Sequence, residues 1–75
     1  MQAKYINEYT KLGLNISYYR KLRGYTQEYL AEAVGIEPDS LSKIENAKVG
    51  ASLDTLFALA KALDIAPHKL LEFRD

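Results

Sequence analysis

Residues 25–46 read YTQEYLAEAVGIEPDSLSKIEN, from Tyr25 to Asn46, and this stretch decides the fold. Thr26 is a good helix cap, because its hydroxyl can accept from an amide that the first turn leaves unpaired. Tyr29, Leu30, Ala33 and Val34 follow within that helix. Gly35 ends it, since glycine takes a positive φ at little cost. Pro38 suits the first position of a new helix, where its missing N–H is not needed. Asp39 falls in the first turn, where the helix dipole favours a carboxylate. Leu41 and Ile44 form the inward pair of this second helix. The stretch is thus two short helices joined by a tight turn.

Outward from it, helical period continues and period-two alternation is missing. A helix is expected from about Thr10, as its cap, to Arg23, with Leu12, Ile16 and Tyr19 as its apolar stripe and Gly24 as its stop. Beyond the central stretch, Asn46–Ala51 is a loop and Ser52 caps a further helix. Leu53, Leu56, Phe57, Ala60 and Leu63 give that helix an unbroken stripe. Asp64, Ile65 and Ala66 turn the chain, and Pro67 opens a short fifth helix to about Phe73. The expected fold is all-α, a compact five-helix bundle.

At 75 residues the chain is expected to form one unit, residues 1–75, with a small core. It has no cysteine, so disulfides and thiolate metal sites are excluded, which fits a reducing cytosol. No apolar run approaches a membrane span, and MQAKYINEYT lacks the apolar core of a signal peptide, so a soluble, cytoplasmic protein without membrane contact is expected. Net charge is zero but unevenly spread. Residues 1–25 hold Lys4, Lys11, Arg20, Lys21 and Arg23 against Glu8, a balance of +4. Residues 26–45 hold Lys43 against Glu28, Glu32, Glu37, Asp39 and Glu45, a balance of −4.

No enzyme site is read. His68 is the only histidine and has no second ligand to share a metal. The serines lack a histidine with an orienting acid, and the glycines are spaced as punctuation rather than as a phosphate loop. No cofactor and no small-molecule effector site is evident.

From Leu12 to Phe73 the chain resembles the Xre/Cro-type helix-turn-helix proteins, the phage-repressor-like family. The resemblance is carried by LGLNISYYRKLRGYTQEYLA, VGIEPDSLSKIEN and SLDTLFALAKALDI. Leu30, Ala31, Val34, Gly35, Ile36, Leu41 and Ile44 all have the residue type that the motif, about residues 27–46, needs to fix the angle between its helices. The resemblance implies a lambda-repressor-like DNA-binding fold, with double-stranded DNA as partner and the second helix of the motif in the major groove. Aligned residue by residue, it implies base contacts at Pro38, Asp39, Ser42 and Lys43, with Ser40 close by. Phosphate contacts are implied at Gln27, Asn46 and Lys48. Arg23 and Lys21 are expected as long-range attractors. Arg20 and Glu45 align with a structural ion pair.

A transcriptional regulator of this kind, a repressor or controller protein, is expected to bind a two-fold site as a homodimer. Leu70, Leu71 and Phe73, with Phe57, are the expected dimer surface. The sequence departs from the family at four places. Glu37 stands at the cap, Pro38 replaces a polar reader, and Ala47 and Ala51 replace glycine and proline in the loop. The acidic balance and Pro38 also fit a protein-interaction module, such as an antitoxin or anti-repressor, that keeps the fold without reading DNA.

Overall fold

A computed structural model describes residues 3–73; Met1, Gln2, Arg74 and Asp75, the ends of the expected unit, lie outside the described residues. Four α-helices run in order: α1 (Ile6–Leu22), α2 (Gln27–Val34), α3 (Pro38–Glu45) and α4 (Leu53–Leu63). A 3-10 turn, Ala3–Tyr5, precedes α1, and another, Pro67–Leu71, follows α4. No strand occurs among the described residues.

The central caps form as their chemistry requires. Thr26 Oγ1 accepts from the Tyr29 amide at 3.0 Å. Gly35 takes φ 79°, and the Ile36 amide then reaches back to the Ala31 carbonyl at 3.0 Å. Pro38 stands in the first turn of α3. Ser52 Oγ accepts from the Thr55 amide at 3.1 Å and starts α4. Ile16, Leu30, Leu41, Leu59, Leu63 and Leu70 are fully buried, so each helix and the last 3-10 turn contribute to one core.

Four expectations need correction. Helix α1 starts at Ile6, so Thr10 lies inside it and caps nothing. Its added turn is held by packing: the Tyr9 ring fills the space beside Gly50, where a Cβ would come within 2.9 Å of that ring. The expected fifth helix is a 3-10 turn instead. Its end is bound sideways, because Asn15 Nδ2 donates to the Leu70 and Glu72 carbonyls at 2.9 and 3.2 Å. Leu70 is buried in the core and is no part of any surface. On α4 the buried face is Leu56, Leu59, Ala60 and Leu63, while Leu53 and Phe57 point outward, 64% and 53% exposed.

Among the described residues two other than glycine adopt the left-handed conformation, Ala47 at φ 58° and Asp64 at φ 57°. Ala47 occupies the place where the family pattern has glycine. The Lys48 amide bonds the Lys43 carbonyl at 2.8 Å across it, which closes the end of α3 and offsets the backbone cost. Asp64 is exposed and places its carboxylate at the negative end of α4. Asp64→Gly is expected to raise stability by about 0.5–1 kcal/mol, after the extra chain entropy glycine brings to the unfolded state. Thermal melts should show a rise of about 3–6 °C.

Candidate nucleic-acid interface

Helix α3 is anchored from below and open from above. Leu41, Ile44 and Glu45 are buried, while Pro38, Asp39, Ser40 and Lys43 are exposed and Ser42 is half-buried. The expected base-contacting positions therefore share the outer side of one short helix. Glu37, at the cap, has an extended backbone and makes no side-chain cap bond. Lys43 Nζ lies 3.1 Å from Asp39 Oδ2, so the one cation of this face is paired with a carboxylate one turn earlier.

The frame beneath α3 is polar and closed. Arg20 Nε donates to Glu45 Oε2 at 2.8 Å and Arg20 Nη2 donates to Glu45 Oε1 at 3.1 Å. The side chains are only 11% and 5% exposed. Arg20 Nη1 also donates to the Tyr25 carbonyl at 2.9 Å, and Gln27 Nε2 donates to Glu45 Oε1 at 3.0 Å. One cluster thus ties α1, the start of the motif, the first turn of α2 and the last turn of α3.

The expected phosphate positions fare differently. Gln27 turns its side-chain amide inward to Glu45, and the Thr26 cap takes the Tyr29 amide, so the other backbone N–H groups in the first turn of α2 are those of Gln27 and Glu28. Asn46 folds back on α3, donating to the Ser42 carbonyl at 2.9 Å and to Ser42 Oγ at 3.4 Å. Lys48 is exposed in the loop after α3. Arg23, expected as an attractor, also closes the end of α4: Nε donates to the Leu63 carbonyl at 2.8 Å and Nη2 to the Asp64 carbonyl at 3.2 Å. Sequence reasoning missed this role because the partners lie 40 and 41 residues away.

The pairing offsets one of the four excess negative charges of residues 26–45, through Arg20, since Lys43 is already counted in that balance. Glu45 is bound to Arg20 and Asp39 to Lys43, so the carboxylates left are Glu28 and Glu32 on α2 and Glu37 at the head of α3. Among the described residues no cluster of three or more His, Cys, Asp or Glu could hold a metal ion. Nor is any helix among them long and apolar enough to cross a membrane.

Two short helices set by a left-handed glycine, with the second exposed at its first turn, define a helix-turn-helix protein. The family model described as helix-turn-helix matches residues 16–70, and the chain belongs to that family, among its Xre/Cro-like members. The HTH-type transcriptional regulator SinR of Bacillus licheniformis is 37% identical over 65 residues, covering 85% of this chain. The chain spans 59% of that relative's length. The restriction-modification controller protein C.AhdI of Aeromonas hydrophila superposes with a TM-score of 0.83 at 31% identity, over 85% of this chain and 97% of that one. A SinR structure solved in complex with DNA superposes with a TM-score of 0.75 at 37% identity, over 81% and 98% of the two chains.

Proposed function

We propose that this chain is a sequence-specific DNA-binding transcriptional regulator, a repressor or controller protein, that works in the cytoplasm without a cofactor or small-molecule effector. Helix α3 enters the major groove and the first turn of α2 meets a phosphate. The observation that carries this reading is the outer side of α3, exposed at Pro38, Asp39, Ser40 and Lys43 and backed by buried Leu41 and Ile44. The relative solved with DNA supports it. The test is binding to random-sequence duplex over a salt series. Affinity is expected to fall with salt along a negative log–log slope, shallow because few cations face the phosphates. No binding at low salt, with wild type and Lys43→Ala alike, would instead favour the protein-interaction module.

The regulator acts as a homodimer on a two-fold site, because a unit this small makes few base contacts and a second half-site about 34 Å away doubles them. Phe57 leads the dimer surface, joined by Leu53 one turn earlier and by Leu71, which is 50% exposed. Phe73 packs partly on the core and borders this surface at most. Phe57→Glu is expected to weaken self-association at least about tenfold, since burying an unpaired carboxylate at an apolar contact costs more than about 1.4 kcal/mol. Sedimentation at micromolar concentration reads this. A wild type that stays monomeric with and without DNA rules out the dimer.

A further inference from the structure

The outer side of α3 carries one charged couple whose spacing matches a base pair. Lys43 Nζ lies 3.1 Å from Asp39 Oδ2, and the two side chains are 51% and 78% exposed. Their pairing exhausts neither group. An ammonium has three N–H donors and a carboxylate about four acceptor sites, so both keep capacity for a ligand while the pair stays intact. The couple therefore presents a donor held beside an acceptor. Its complement is an acceptor held beside a donor at about the same distance. A Watson–Crick pair offers this at its major-groove edge, where an exocyclic N–H and an exocyclic oxygen are joined by a hydrogen bond of about 2.9 Å.

We infer that Asp39 and Lys43 act as one unit that reads a single G·C base pair in each half-site, with Lys43 donating to guanine and Asp39 accepting from cytosine N4; this rests on the regulator reading above. The preference for G·C over A·T follows from the order of groups across the groove. G·C presents two neighbouring acceptors, guanine N7 and O6, and then the cytosine N4 donor. The remaining N–H groups of Lys43 meet both acceptors, and Asp39 meets N4 with no further acceptor beyond it. A·T presents acceptor, donor, acceptor and then the thymine methyl. A carboxylate set on adenine N6 is flanked by acceptors that repel it, and the lysine gains one contact instead of two. The reversed pair, C·G, swaps the two ends and sets Asp39 against the guanine acceptors.

The couple has no net charge, so it adds sequence choice rather than phosphate attraction. Holding Lys43 against Asp39 before DNA arrives also lowers the side-chain freedom lost on binding.

The test is selection of bound duplexes from a random pool by wild type, Asp39→Ala and Lys43→Ala. Affinities are then measured for the selected duplex with the pair in question changed to A·T, T·A or C·G. The wild type is expected to select a two-fold site with a fixed G·C pair in each half. It should prefer that pair roughly tenfold or more over each replacement. Both variants, altered only at exposed positions, should lose this preference while the rest of the selected site is unchanged. A wild type that selects a two-fold site that both variants also select unaltered overturns the inference and leaves the regulator reading standing. A wild type that selects no site overturns both.

Discussion

Arg20→Ala is expected to cost about 3–5 kcal/mol of folding stability. The alternative magnitude, under about 1 kcal/mol, belongs to ion pairs at the surface. Exposure decides between them: Glu45 keeps 5% of its side-chain surface and Arg20 keeps 11%. Without the guanidinium, Glu45 is left as a buried carboxylate with Gln27 Nε2 as its remaining side-chain donor, at 3.0 Å. The Tyr25 carbonyl also loses its donor at 2.9 Å. A chain of this size draws only about 3–5 kcal/mol from its core, so the variant should be largely unfolded at ambient temperature. Urea denaturation followed by circular dichroism reads the loss. Replacing both partners, as Arg20→Met with Glu45→Leu, is expected to restore much of it, because no uncompensated buried charge remains. If Arg20→Ala melts within a few degrees of wild type, the buried cluster does not orient α3.

Gly13→Ala is expected to destabilise as well, by about 2 kcal/mol or more. On helix propensity alone it would be favourable, since alanine exceeds glycine by about 1 kcal/mol in a helix interior. Packing opposes that gain. A Cβ at Gly13 would clash with the Glu45 carbonyl oxygen and stand 2.8 Å from the Ile44 carbonyl oxygen. Both obstacles are backbone, so no side chain can swing aside, and α1 must move away from α3. Overpacking of this kind costs about 1–3 kcal/mol and at times more. The shift would also move Glu45 away from Arg20, so the two substitutions should be non-additive in a double-mutant cycle. A Gly13→Ala protein as stable as wild type would show that the α1–α3 contact has room to spare.

Some of this was legible in the sequence and some was not, for physical reasons. The bounds of α2 and α3 could be read because local chemistry sets them: the Thr26 cap, Gly35 at positive φ and Pro38 in the first turn of α3. The start of α1 could not, since it depends on Tyr9 packing beside Gly50 rather than on a cap. Leu70 and Leu71 are equivalent in composition, yet one is buried and the other half exposed. Their fates depend on a 3-10 turn whose end is held by Asn15, 55 residues before Leu70. Gly13 read as punctuation because a glycine inside a helical stripe does not reveal which backbone will approach it. On α3, the positions implied by the family resemblance are exposed or half-buried, as the helical period of Leu41 and Ile44 requires. What the side chains at the other expected contacts do was not legible, because Gln27, Asn46 and Arg23 are claimed by partners within the fold.

Whether the outer side of α3 is the surface that meets DNA can be measured residue by residue. An NMR titration of the isotope-labelled full chain with the selected duplex, or with random duplex at low salt, follows every backbone amide. Shifts are expected to concentrate at Gln27 and Glu28 and from Asp39 to Lys48, with α4 unchanged except where the dimer forms. Shifts confined to α1 and α4, or none at all at saturating duplex, would contradict this expectation.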